Sequence, residues 1–434
     1  MLWSPIPLSW VSVFGRCPLQ RHFAIGLDLR SQLENNVYSA SDVRPSLDWL
    51  INPLGKEKFF AEFWETQPLV VRRNQKGYFA SLLSLEEVDR AITTLNLTHP
   101  NITLKNAEKE VMPANYTLRN GVLDVASVYQ FFSQGSTIVL AFLDTVLPPL
   151  TSLCRSLERE LSFPLQANVY LTPAHAKGAK YHYDTHDVFV LQIVGSKRWT
   201  LYGTPVELPL GGQDFDPRVH AQGAPTLEFE LEAGDVAYIP RGIVHDARSN
   251  DHLSLHITLG VLCYRWVDFL LESVAEASLN DPAFRKALPP GFAREEFDGG
   301  QAKQIFEDLV QRITTGSDLE AIRGRFIDQW ISSCPPLLIG QMHQIALLDQ
   351  LRMESVVGAR TDVVSRIRID ENTSSIYAFG RKISFPAHAT EAVRFALKQP
   401  RFCVRELPGD LDDQGQLVLV RRLIREGLAV VLAV

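Results

Sequence analysis

Cysteine is scarce in this chain, with five among 434 residues (Cys17, Cys154, Cys263, Cys334 and Cys403). They are isolated, odd in number and without metal-knuckle spacing. That excludes a disulfide scaffold and a thiolate zinc site, and it points to a reducing compartment such as the cytoplasm. No stretch approaches the roughly 18 apolar residues of a membrane span. Positive charge is not in excess either: 43 Lys and Arg against 50 Asp and Glu leave a formal net charge of −7. Nothing overall suggests a surface for polyanions, and nucleic acid is not an expected partner. The apolar opening, residues 1–14, has no positive charge before it and is broken by Pro5 and Pro7, so it makes a poor signal peptide. It reads as a loose N-terminal arm or a start codon placed too early. A cleaved targeting segment stays open, because Arg16 and Arg21 precede the first acid, Asp28.

What the chain does contain is concentrated between Asn168 and His245. His182-Tyr183-Asp184 is a His-x-Asp pair. Side chains two apart on an extended strand share a face, so His182 and Asp184 can reach one point. The β-branched, apolar run Val188–Val194 supports extension. Gly195-Ser196 then reads as a hairpin-like turn, and residues 197–202 as the returning strand. About sixty residues downstream, Gly234-Asp235 opens a short strand, Pro240-Arg241-Gly242 a turn, and His245 the next strand. A bare His-x-Asp is common and by itself reads as a polar pair beside a turn. Joined to PRGxxH in a strand-rich region, it predicts a metal centre of His182, Asp184 and His245. Two imidazoles and a carboxylate are the facial triad of non-haem Fe(II) oxygenases, which leaves three positions open.

The remaining text sorts into blocks. Residues 46–73 combine an aromatic-rich helix with a strand entered through Pro68. Ser84 and Glu87 form a capping box for a helix over 84–95. Further helices are expected over 124–133 and 150–161. Residues 164–262 carry short strands and frequent Gly and Pro, as a barrel does, and the loop over 203–225 either overhangs its mouth or merely connects. Helical periodicity returns over 266–278, 302–315 and 319–332. A small helix–strand unit closes the chain. The expected organisation is an arm (1–45), a catalytic domain (46–264), a helical region (265–342) and a C-terminal domain (343–434). The fold class is mainly β plus α.

His182 to Gln192, followed by Gly195-Ser196-Lys197-Arg198-Trp199, resembles the JmjC/cupin ribosomal oxygenases, as does the GD…PRGxxH segment. The resemblance runs over nearly the whole chain and is strongest over 168–199 and 234–260. It implies a double-stranded β-helix (cupin/JmjC jelly roll) with a helical dimerisation segment, hence a homodimer, and a winged-helix-like C-terminal domain. It also implies an Fe(II)-dependent enzyme that uses 2-oxoglutarate and O2 to hydroxylate an arginine or histidine side chain of a protein or peptide. Lys197 matches the family's lysine for the far carboxylate of 2-oxoglutarate, and alternation separates it from Arg198. Asn168 and Tyr170, two apart on the preceding strand, match co-substrate contacts; an ordinary polar strand pair is the alternative. His186 is expected to line the entrance or support the site without ligating. Asp187 would orient its neighbours, and His256 would be packed and hydrogen-bonded. The chain departs from the family in having Lys180-Tyr181 before the first ligand, Gly260 in place of a serine, and Thr185-His186 after Asp184. These put the ribosomal target in doubt and leave the cofactor chemistry intact. Two other readings remain: a Zn or Mn cupin acting as an isomerase or ligand binder, and a non-catalytic dimeric scaffold.

Overall fold

The computed structural model describes residues 45–434 except 296, 298, 317, 335–337, 361–362 and 371–372. The expected N-terminal arm lies outside the described residues, save position 45.

Two short helices, α1 (Leu47–Ile51) and α2 (Lys56–Glu62), precede strand β1 (Leu69–Val71). Ser84 and Glu87 close a reciprocal capping box on α3 (Leu85–Thr94), as their spacing requires. Strand β2 (Ile102–Lys105), helix α4 (Val125–Ser133) and strand β3 (Thr137–Leu140) follow. Helix α5 (Pro148–Leu161) then begins on its proline pair, where a missing N–H costs nothing. The barrel strands are β4 (Leu165–Thr172), β5 (Asp187–Val194), β6 (Ser196–Leu201), β7 (Leu227–Glu232), β8 (Val236–Ile239), β9 (His245–Ser249) and β10 (Ser254–Val261).

These strands form two antiparallel sheets, one in the order β1-β8-β5-β10-β4-β3-β2 and the other β7-β6-β9. Every residue of β5 but the last is buried, because both of its faces are covered. Val188 and Val190 meet Trp199, Phe229 and Leu231 from the smaller sheet. Phe189, Leu191 and Ile193 join the larger core beneath helices α1 to α5. An unbroken apolar run is what such a strand needs.

The expected hairpin at Gly195 is not formed. Strand β5 pairs with β8 and β10, whereas β6 pairs with β7 and β9. Gly195 is therefore a corner at which the chain passes from one sheet to the other. Its φ is +68°, and a Cβ there would lie 2.0 Å from the Leu253 carbonyl oxygen, so only glycine fits.

Beyond the barrel come α6 (Trp266–Asn280), α7 (Gly299–Gly316) and α8 (Leu319–Ser333), at the places the periodicity predicted. The C-terminal part contains α9 (Gln341–Ala346), β11 (Val356–Ala359), β12 (Ser365–Ile369), β13 (Thr373–Ala378), β14 (Arg381–Pro386), α10 (Thr390–Lys398), β15 (Phe402–Cys403), α11 (Asp413–Arg425) and β16 (Ala429–Ala433). Two three-stranded sheets, β15-β11-β16 and β12-β13-β14, share a second hydrophobic core with α10 and α11. Asp328 on α8 pairs with Arg366 and Arg368 of β12, tying the helices to this unit. Among the described residues, no helix is long and apolar enough to cross a membrane.

Candidate metal centre

His182 and Asp184 precede β5 and do not lie on it. His182 makes an isolated antiparallel bridge to His245, through the His182 N–H to the His245 carbonyl (3.1 Å) and the His245 N–H to the His182 carbonyl (2.8 Å). The strand begins only at Asp187. Alternation holds locally all the same. Tyr183 turns away and is buried against Phe215 and Val244, with its hydroxyl donating to the Gln213 carbonyl at 2.8 Å. The 203–225 loop thus backs the ligand segment from behind.

The second arm is the turn Pro240–Val244. Gly242 has φ +88°, and its N–H donates to the Asp184 carbonyl at 3.0 Å. That bond brings the third ligand to the first two. His182 Nε2 lies 3.9 Å from Asp184 Oδ1, and His245 Nε2 lies 3.7 Å from Asp184 Oδ2. All three donor atoms fall within 4.8 Å of one another. Each imidazole Nδ1 faces a backbone carbonyl, that of Lys180 (2.8 Å) for His182 and that of Ile243 (3.0 Å) for His245. A proton on Nδ1 leaves both Nε2 lone pairs free to ligate. Burial pushes the His245 pKa down, His182 adds to this, and Asp184 opposes it. Burial would raise the Asp184 pKa, but His245, His182, His186 and Lys105 overcome it and hold the pKa low. Neutral imidazoles and an ionised carboxylate are the ligand forms of a divalent cation, so the donor set fits the expected metal.

A cavity of about 70 Å³ adjoins this cluster, lined by Tyr170, Val188, Lys197, Trp199, His256 and Thr258 among others. Lys197 is 4% exposed, and its Nζ donates to Thr172 Oγ1 at 3.0 Å. Burial alone drives its pKa from 10.5 down to about 7. Arg198 is exposed on the opposite face of β6. Tyr170 stacks on His256 with ring centroids 4.8 Å apart. Asn168 is not among the lining residues; its side-chain oxygen accepts the Phe142 N–H at 3.2 Å.

Sequence reasoning missed some of this lining. Thr172, which lies behind the lining and accepts from Lys197 Nζ, was findable, being two residues beyond Tyr170 on the same face. Lys105 ends β2, in a stretch with no clear pattern. His256 is packed as expected, but its buried Nδ1 has no hydrogen-bond partner. His186 leans its ring over Gly260, where a Cβ would come within 2.8 Å of it. The segment carrying Lys177 and Gly178 is pinned across the cavity. Lys177 pairs with Asp246 at 2.7 Å, and a Cβ on Gly178 would lie 2.4 Å from Thr137 Oγ1.

The JmjC domain family model matches residues 145–269, which includes both candidate ligand segments, Lys197 and the cavity residues from Tyr170 to Thr258. That stretch is JmjC-like. The chain is 32% identical over 265 residues to "Bifunctional lysine-specific demethylase and histidyl-hydroxylase NO66" of Drosophila erecta, covering 58% of this chain and 39% of that protein. It is 30% identical over 369 residues to the Drosophila melanogaster protein of the same name, covering 80% of this chain and 54% of that one. The chain therefore spans about half, or less, of the length of these curated relatives. Among solved structures it is similar to YcfD, a ribosomal oxygenase from Escherichia coli. The cobalt and succinic acid complex gives a TM-score of 0.53 at 16% identity, covering 88% of this chain and 99% of that one. The cobalt and 2-oxoglutarate complex gives 0.51 at 16%, with the same coverage. At that identity the likeness concerns the JmjC fold.

Proposed function

We propose that this protein is an Fe(II)- and 2-oxoglutarate-dependent oxygenase that hydroxylates an amino-acid side chain, of the arginine or histidine class, in a protein or peptide, a ribosomal protein being one candidate. One observation carries the reading: the donor atoms of His182, Asp184 and His245 converge within 4.8 Å beside a buried lysine. The names of its relatives, a histidyl-hydroxylase and a ribosomal oxygenase solved with cobalt and 2-oxoglutarate, support it. Loaded with iron, 2-oxoglutarate and O2, such a centre supplies an oxidant strong enough for an unactivated C–H bond.

The chain's own residues do the rest. His182, Asp184 and His245 would hold the metal through their converging donor atoms. Lys197 neutralises the far carboxylate of the co-substrate, and Thr172 Oγ1 holds the ammonium in place. Tyr170, beside His256, walls the same cavity. Val188, Val190 and Trp199 give it apolar walls that keep water out and strengthen the ion pair. Asn168, outside the cavity lining, has no part in this reading.

The helical region is proposed to pair two copies of the chain. Trp266, Leu270 and Leu271 on α6 are 80%, 58% and 62% exposed, an apolar row wanting cover. Free thiols at Cys154, Cys263, Cys334 and Cys403 suit a cytoplasmic location. The C-terminal sheets and helices are proposed to act as a winged-helix-like appendage.

Succinate release from 2-oxoglutarate with added Fe(II) tests the reading, and a search for proteins gaining one oxygen identifies the substrate. Release that persists in Asp184→Ala overturns it.

A further inference from the structure

A second, partly buried group of ligand-type side chains sits on the opposite side of β5 from the cavity. Glu65, Asp187 and Cys263 bring a carboxylate, a second carboxylate and a thiol together. The space between the carboxylates is already taken by a cation: Arg241 Nη1 lies 2.6 Å from Glu65 Oε1 and 2.7 Å from Asp187 Oδ2. This is an ion cluster built around the Arg241 guanidinium and not a metal site. Its place in the chain is informative. Asp187 is three residues after the ligand Asp184, and Arg241 is four before the ligand His245.

We propose that the Asp187–Arg241 pair is a positioning clamp that holds the two ligand-bearing segments in register for the metal; this rests on the oxygenase reading above. Both oxygens of Asp187 are fully engaged. Oδ1 accepts the Tyr238 hydroxyl (3.0 Å) and the Arg241 backbone N–H (3.2 Å); Oδ2 accepts Arg241 Nη1 (2.7 Å) and the Cys263 thiol (3.3 Å). One carboxylate thus grips both the side chain and the backbone of the turn that carries His245. The next residue in that turn, Gly242, makes the bond to the Asp184 carbonyl. Asp187 itself is fully buried. Glu65 braces the guanidinium from the α2 side, and its N–H donates to the Tyr238 hydroxyl at 2.9 Å. Its carboxylate meets the His245 segment only at the Arg241 guanidinium, whereas Asp187 also holds that segment's backbone.

The test uses the full chain and Co(II) as the probe, followed anaerobically by the visible absorption of the bound ion. Asp187→Asn keeps the shape and loses the charge. It is expected to weaken Co(II) binding by about tenfold to a hundredfold, the usual effect of losing a group that orients metal ligands. Glu65→Gln is expected to bind Co(II) like the parent while melting at lower temperature, which a purely structural role for the whole cluster would not allow. If Asp187→Asn does not fold, Arg241→Lys replaces it, with a loss nearer tenfold, because the charge stays while the planar, pre-organised guanidinium is exchanged for a flexible ammonium. Amide hydrogen exchange on the metal-free proteins supplies an independent readout. The Gly242 and His245 N–H groups should exchange faster in the clamp variant, with β10 amides unmoved. A folded clamp variant with parental Co(II) affinity and parental exchange at these two amides overturns the proposal. A parent protein that binds no Co(II) sinks the oxygenase reading instead, and exchange alone then decides the clamp.

Discussion

Single residues divide sharply by which face of a strand they occupy. Lys197 and Arg198 are neighbours in sequence, yet one is buried beside the metal cluster and the other is in solvent. Removing one partner of a buried ion pair costs roughly 3–5 kcal/mol. At about 1.4 kcal/mol per tenfold, Lys197→Ala should bind 2-oxoglutarate on the order of a hundred to several thousand times more weakly. Arg198→Ala should lose little. Titration of the anaerobic Fe(II) proteins, followed by the charge-transfer band, separates the two, and a reversed order would show the assignment to be wrong. The same lysine predicts a pH dependence. With its pKa lowered to about 7 in the resting protein, it must take up a proton to receive a carboxylate at higher pH. The apparent dissociation constant of 2-oxoglutarate should therefore rise as pH climbs above about 7, by up to about tenfold per unit. Stability without co-substrate runs the other way. Between about 7 and 10.5 the unfolded chain holds a proton that the folded one has shed. Lys197 then contributes stability that grows with pH, at no more than about 1.4 kcal/mol per unit. Denaturant unfolding at pH 7 and 9, with and without co-substrate, checks both signs. His182→Ala and Asp184→Ala should each abolish succinate formation while far-ultraviolet circular dichroism stays close to the parent's.

Elements were legible where one period or one cap governed them. The box of Ser84 and Glu87 marks the start of α3 because it satisfies two N–H groups of that helix reciprocally. Apolar positions three and four apart placed α6, α7 and α8. Gly195 was legible as a turn but not as a corner between sheets, because the choice of pairing partner belongs to strands far away in sequence. Gly195→Ala should destabilise the protein by at least about 1–2 kcal/mol, the cost of a left-handed backbone for a residue with a Cβ. The overlap with the Leu253 carbonyl adds to this. Urea melts are the measurement, and a loss under about half a kcal/mol would mean that the corner relaxes freely.

On the scale of the whole molecule, two hydrophobic cores and an exposed apolar helix face set the remaining expectations. The larger core under α1 to α5 and the C-terminal core are made of different residues. Helix α6 leaves Trp266, Leu270 and Leu271 in solvent. Light scattering at micromolar concentration should give twice the chain mass. The double variant Leu270→Glu/Leu271→Glu should give the chain mass once, with its melt within a few degrees of the parent's. A parent that runs as a monomer removes the dimer.

By itself the sequence determined the identities of the three candidate ligands, the buried side of Lys197 and the position of nearly every helix. Each depends on local rules: alternation along a strand, periodicity along a helix, and the turn residues at Pro240–Gly242. Only the tertiary structure decided that Gly195 changes sheets, that Lys105 reaches the cavity, and that Asp187 and Arg241 meet behind the candidate ligands. Those contacts join residues 54 apart or more, or elements whose partners are chosen by burial of a whole face. No local pattern encodes such a choice, because hydrophobic burial is non-directional and is satisfied only by the complete packing.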